Sequence, residues 1–270
     1  MYVYIAAAVT AVCMIFGGAV TYIVSKKRRM NRAVPPLMAA GIGMISLAAV
    51  CAVYLSIGYH ADSEAYSAMN GGDGVSVSST DCGWFFDGAG TGSALIFYPG
   101  AKVEPQAYAP LMKDLADRGV DCFLVDMPAN MAILGVDRAD EIMDGYSYDS
   151  WYIAGHSLGG NAAASYCAGA PGKTDGLILL ASYSSNKLAD DLDVLSVYGS
   201  EDGVLSMDIY NADKENLPAG ADEVVISGGN HSQFGNYGEQ RGDLKASISS
   251  AQQRSLTVDA IIGLIGSDGK

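Results

Sequence analysis

The chain has 270 residues, with 30 acidic against 16 basic side chains and a formal net charge of −14. Such a charge repels phosphate backbones, which excludes a nucleic-acid partner. Half of the residues are apolar, but they are spread unevenly along the chain.

Residues 1–24 (MYVYIAAAVTAVCMIFGGAVTYIV) carry no charge, and neither do residues 37–58 (LMAAGIGMISLAAVCAVYLSIG). Crossing a bilayer as a helix takes about 20 apolar residues, and both runs are long enough. Neither has the polar face that a soluble helix shows to water. Residues 25–36 (SKKRRMNRAVPP) lie between them and hold Lys26, Lys27, Arg28, Arg29 and Arg32. A cleaved signal peptide carries its positive charge before the apolar run, not after it. The expectation is therefore a two-helix anchor over 1–59, a multi-pass insertion in the cell membrane. Basic loops are retained on the cytoplasmic side. This places 25–36 inside the cell and everything after Tyr59 outside, including all 30 acidic residues.

Residues 60–74 (HADSEAYSAMNGGDG) are polar and Gly-rich and read as a linker. A single α/β domain is expected over 75–270. It opens with two short extended runs, 75–80 (VSVSST) and 82–87 (CGWFFD), patterned as a hairpin-like pair. Six short apolar runs follow: ALIFY (94–98), CFLV (122–125), WYIA (151–154), LILLA (177–181), VLSVY (194–198) and EVVIS (223–227). Continuous apolar runs suit strands buried on both faces of a parallel sheet. Helical spacing appears between them, over 106–118 and 158–168, and over 250–265 with Leu256, Ile261, Leu264 and Ile265 facing inward. Alternating strands and helices predict a doubly wound, mostly parallel sheet. The gap of 182–193 between LILLA and VLSVY is too short for a multi-helix lid. The five cysteines show no metal spacing; a Cys82–Cys122 bridge is left open. No cofactor and no metal is expected, and the oligomeric state is not legible.

Gly155-His156-Ser157-Leu158-Gly159 fits G-x-S-x-G between a predicted strand and a predicted helix, the context of a nucleophile elbow. The alternative is an ordinary Gly-rich turn. A serine needs a base to become a nucleophile. The chain has three histidines: His60 at the membrane edge, His156 inside the elbow and expected to pack away from the site, and His231 in the loop after the last predicted strand. His231 is the candidate base. An orienting carboxylate falls between Ser and His in chain order, and Asp202, in YGSEDG after VLSVY, is the candidate. Glu201 is the adjacent rival and Asp126 a weaker one. The oxyanion would be held by the backbone N–H groups of Leu158 and Ala101, the latter in YPGAK.

The motifs YPGAKV, VDMP, GHSLGG, YGSEDG and GGNHSQFGNYG, in this order, resemble the α/β-hydrolase fold, and within it the fold-5 family of bacterial proteins, over nearly all of the chain after residue 75. The resemblance implies a Ser157, Asp202 and His231 triad. The expected activity is a serine hydrolase of the carboxylesterase type, acting through an acyl-enzyme on a small or lipid-like ester or thioester. The same residues could also run acyl transfer or amide cleavage. A silent ectodomain that only binds a partner is the competing reading.

Overall fold

The computed structural model describes residues 2–28, 34–89 and 92–267. The chain falls into two compact units, Met1–Ile57 and Gly58–Lys270.

The first unit is a pair of helices, α1 (Tyr2–Arg28) and α2 (Val34–Ser56). Both are long and apolar enough to cross a membrane, with mean hydropathies of 1.6 and 2.1 over Val9–Lys27 and Pro35–Val53. They expose large apolar side chains, Ile15 and Ile45 among them. They pack through small residues: a Cβ on Gly17 would strike the Ala39 carbonyl, and one on Gly43 would lie 2.7 Å from Met14 Sδ. Close backbone approach of this kind is how apolar helices associate where there is no water to drive them together. The expected basic loop is shorter than 25–36, because Ser25–Arg28 continue α1 and Val34–Pro36 begin α2. Arg29 and Arg32 lie outside the described residues.

The second unit is built on one sheet of eight strands: β1 (Ser76–Thr80), β2 (Gly83–Asp87), β3 (Ser93–Tyr98), β4 (Asp121–Val125), β5 (Ser150–His156), β6 (Gly176–Leu180), β7 (Asp193–Gly199) and β8 (Asp222–Ile226). Their order is β1-β2-β4-β3-β5-β6-β7-β8. β1 and β2 are antiparallel to their neighbours, and the remaining pairs are parallel. Along β3, Leu95 and Phe97 enter one core while Ala94, Ile96 and Tyr98 enter the other, the two-residue alternation of a strand covered on both faces. Burying a side chain the size of Leu95, Ile96 or Phe97 is worth about 1.5–3 kcal/mol.

Helices α4 (Ala109–Asp117) and α8 (Ser250–Ser267) cover the first face, and α5 (Arg138–Met143) and α6 (Leu158–Gly169) the second. The expected helix over 106–118 begins as a 3-10 turn, Pro105–Tyr108. In α8 the inward set differs from expectation. Leu256 is 42% exposed while Val258, Ile261, Gln253 and Thr257 are buried. Two of those buried positions are polar because the helix also serves a loop, as described below. No helix lies between β6 and β7, as the short gap predicts. The short helix α7 (Met207–Asp213) follows β7.

The stretch read as a linker is folded. Helix α3 (Ser63–Ala68) is capped by Asp62, whose side chain accepts from the Ala65 amide at 2.9 Å, and Ala65 is fully buried. Before it, the Tyr59 amide donates to the Lys102 carbonyl at 2.8 Å, and the Glu104 amide donates to the Tyr59 carbonyl at 2.9 Å. The Ala61 amide donates to Glu104 Oε2 at 2.9 Å, and the Asp62 amide to the Asn236 carbonyl at 2.9 Å. Polar composition suggested a linker, but these groups find partners only in chain segments far along the sequence. We therefore place the start of the folded domain at Gly58. A chain beginning at Gly58 is expected to unfold in one transition, and one beginning at Val75 to be less stable. Loss of the four hydrogen bonds between this segment and Lys102, Glu104 and Asn236, at ~0.5–1.5 kcal/mol each, lowers the unfolding free energy by about 2–6 kcal/mol, measured by urea titration.

Candidate active site

The parallel strands end at one edge of the sheet, where doubly wound proteins place their sites. Ser157 follows β5, Asp202 follows β7, His231 follows β8, and Ala101 follows β3. Ser157 has φ 53° and ψ −124°, a backbone region that a non-glycine residue seldom occupies. The turn is so sharp that its flanks cannot carry side chains. A Cβ on Gly155 would meet the backbone of Gly159, and one on Gly159 would meet the carbonyls of Tyr98 and Pro99. The strained turn is locked by hydrogen bonds on both sides. The Ser157 amide donates to the Leu180 carbonyl at 2.9 Å, and Ser182 Oγ donates to the Ser157 carbonyl at 2.6 Å. Ser157 thus stands at the N-terminus of α6, where the helix presents unpaired N–H groups and partial positive charge.

His231 Nδ1 lies 2.9 Å from Asp202 Oδ2, with both side chains only 2% exposed. The other carboxylate oxygen of Asp202 accepts the amides of Val204 at 2.8 Å and Leu205 at 2.7 Å. Three donors therefore fix the carboxylate, and the carboxylate fixes the imidazole with Nε2 directed away from it. His231 Nε2 is buried and has no hydrogen-bond partner. Ser157 and His231 line one cavity of about 210 Å³, together with Leu158, Asn161, Tyr183 and Leu205. No hydrogen bond joins Ser157 to His231 in this structure; in ligand-free sites such bonds often tighten only when substrate is present.

The rival carboxylates are placed elsewhere. Asp126 is exposed at the end of β4. Glu201 approaches the base loop only through its backbone amide, which donates to the Gly229 carbonyl. His60 is an exposed side chain beside Glu104. In the loop after β3, the Gly100 amide donates to Tyr108 Oη at 3.0 Å and the Lys102 amide to the Asn130 carbonyl at 2.7 Å. Among the described residues the Ala101 and Leu158 amides have no acceptor. They are the two donors expected for an oxyanion, although Ala101 does not line the 210 Å³ cavity. Among the described residues no group of three or more His, Cys, Asp or Glu side chains is arranged to hold a metal ion.

His156 does not pack away from the site. Its ring centroid lies 4.5 Å from that of His231, at 50°. Tyr108 Oη lies 2.8 Å from His156 Nδ1. Tyr108 Oη also accepts the Gly100 amide, so the one hydroxyl joins the loop after β3 to the His156 ring. Burial, then the neighbouring His231, hold the His156 pKa well below the ordinary histidine value. A neutral His156 puts no buried charge beside the His231 ring. Tyr108 was not singled out from the sequence, since a tyrosine at helical spacing carries no mark of such a role.

The parallel sheet, the elbow and the ordered loops agree with the comparison of families: residues 94–255 match the model of the alpha/beta hydrolase family. This chain belongs to that family. Solved structures share the fold of this α/β-hydrolase family member at low identity. A CIB-like hydrolase from Thermoplasma acidophilum is 17% identical, covering 71% of this chain and 100% of that one, with a TM-score of 0.52. Est1E from Butyrivibrio proteoclasticus is 13% identical, covering 72% and 100%, with a TM-score of 0.51. The carboxylesterase CesB from Bacillus subtilis is 11% identical, covering 74% and 95%, with a TM-score of 0.51. No curated protein sequence matches the chain.

The neutral His156 links pH to stability. Unfolding frees the ring to take up a proton below its ordinary pKa of ~6.5, while the folded chain keeps it neutral. Its contribution is therefore complete above pH ~6.5 and is lost as pH falls. In a His156→Gln variant, the slope of unfolding free energy against pH below ~6.5 should be shallower by up to about 1.4 kcal/mol per pH unit. Urea titrations across that range check it; an unchanged slope means the folded ring is protonated.

Proposed function

We propose that this chain is a serine hydrolase that cleaves an ester or thioester through a Ser157–His231–Asp202 triad. One observation carries the reading. His231, held 2.9 Å from the buried Asp202, lines the same cavity as a serine held at φ 53° on a helix N-terminus.

The geometry supports the following course. Ser157 Oγ attacks the acyl carbon as its proton passes to His231 Nε2, the one polar atom of that ring without a partner. Asp202 holds Nδ1 and stabilises the imidazolium that forms. The carbonyl oxygen becomes an oxyanion and takes the N–H groups of Leu158 and Ala101, backed by the dipole of α6. His231 then hands its proton to the leaving alcohol or thiol, and the C–O or C–S bond breaks. Water, deprotonated by His231, releases the acid from Ser157. The cavity near Ser157 is about 210 Å³ and is walled by Leu158, Val204 and Leu205. That is below the ~300 Å³ of usual small-molecule sites, so a small acyl group fits best.

Within the same proposal, α1 and α2 are membrane spans that anchor the enzyme with its catalytic domain outside the cytoplasm. Support comes from their length and hydropathy and from Lys26, Lys27 and Arg28 at the end of α1, on the side that positive charge selects. Protease added to intact cells is then expected to digest the domain; protection until the membrane is broken reverses the orientation.

Ser157→Ala should abolish covalent labelling by a fluorophosphonate and hydrolysis of a p-nitrophenyl ester, with the circular dichroism unchanged. Asp202→Asn should reduce turnover by on the order of 10⁴, as in other Ser-His-Asp enzymes, and Glu201→Gln by less than about twofold, as expected for a side chain outside the network. Labelling that persists in Ser157→Ala would sink the reading.

A further inference from the structure

The acid and the base sit on separate loops, after β7 and after β8, and neither residue itself lies in a helix or strand. Their 2.9 Å contact needs the two loops held in register by something other than that contact. We infer that Asp243 is the positioning residue that does this, an inference that rests on the triad reading above.

Asp243 lies in the chain between the base loop and α8. Its Oδ1 accepts the Gly203 amide at 3.0 Å, the His231 amide at 3.3 Å and its neighbour Leu244's amide at 3.0 Å. Its Oδ2 accepts the Ser232 amide at 2.8 Å. One carboxylate thus binds the residue after the acid, the base itself and the residue after the base. Bonds from backbone amides to a carboxylate are about twice as strong as neutral ones.

The consequence for Asp202 follows from the sequence of three amides. Gly203 donates to Asp243, while Val204 and Leu205 donate to Asp202 Oδ1. The turn that orients the Asp202 carboxylate is itself fixed at its first peptide by Asp243. The strap carrying Asp243 also fits closely against that turn. A Cβ on Gly203 would lie 2.6 Å from the Gly242 carbonyl oxygen and 2.8 Å from the Leu244 amide nitrogen. Only a glycine after Asp202 lets the strap approach. The strap is held in turn: the Leu244 carbonyl accepts Asn230 Nδ2 at 2.7 Å, so the residue before His231 ties back to the residue after Asp243. Asp243 does not line the cavity that holds Ser157. It acts through the loops.

The test uses the full chain purified in detergent, with p-nitrophenyl butyrate as the probe. Asp243→Ala removes all four acceptor contacts. It should lower kcat by roughly 10²-fold, the cost of a small misplacement of catalytic groups, with KM within about twofold. Asp243→Asn should recover part of kcat. Its one carbonyl oxygen can still serve Gly203, His231 and Leu244, while its NH2 faces the Ser232 amide, donor against donor. The exposed Lys245→Ala on the same strap should match the wild type. Hydrogen exchange at the Gly203, His231 and Ser232 amides should rise together in Asp243→Ala. Should Asp243→Ala fail to fold, the kcat loss at fixed KM in folded Asp243→Asn decides. Unchanged kcat in folded Asp243→Ala, or a loss in KM alone, overturns the positioning role while fluorophosphonate labelling of Ser157 upholds the triad. A wild type that takes no label and cleaves no ester overturns both.

Discussion

The backbone contact between Gly155 and Gly159 is the constraint on which the rest of the site depends. A strand must turn into a helix within two residues, and a Cβ at either glycine would occupy the backbone of its neighbours. Only then does Ser157 take its positive φ and stand clear of the sheet edge. The strain is held by what surrounds it, through Leu180 on β6 and Ser182 beyond it. Strained backbone persists only where the surroundings overdetermine it. Here the surroundings are the central parallel strands, fully buried on both faces.

From that fixed point the site is assembled by loops, and loops need their own fastening. The loop that carries His231 is gripped on two sides. Gln253 of α8, fully buried, exchanges hydrogen bonds of 2.9 and 2.8 Å with the backbone of Asn230. A buried polar residue is costly unless its groups are paired, and this one is paired to the residue before His231. This explains why the inward face of α8 is partly polar. Asp243 grips the other side. The loop after β3, the proposed oxyanion loop, is fastened through a different route, from Gly100 to Tyr108 to His156. A neutral His156 is compatible with its position beside the His231 ring; a charged one would oppose the imidazolium that the proposed mechanism forms there.

The segment that follows α2 belongs to this arrangement too. Tyr59 pairs with the chain around Val103, and its ring lies 5.4 Å from that of Tyr237. Asp62 and Glu64 accept from Asn236 Nδ2. Residues 58–64 therefore brace both the loop after β3 and the chain after His231.

The sequence by itself determined the strands, because a buried parallel sheet needs unbroken apolar runs and each run announces one strand. All eight expected runs became strands within a residue or two. It also singled out Ser157, Asp202 and His231 as candidates in that chain order, since Gly at fixed offsets from Ser157 and a scarcity of histidines leave few choices. The two apolar helices were legible for the same reason of composition. Only the tertiary structure decided what joins those loops. Nothing in GEQRGDLK distinguishes Asp243 from the other acidic residues of an acidic chain. Nothing in HADSEAYSAMNGGDG says that Ala65 would be buried. A helical tyrosine and the histidine inside the elbow gave no sign that they would meet. Periodicity reports which face of an element meets the core. Hydrogen bonds from one loop to another far along the chain have no period, and they exist only once the sheet has set both loops at the same edge.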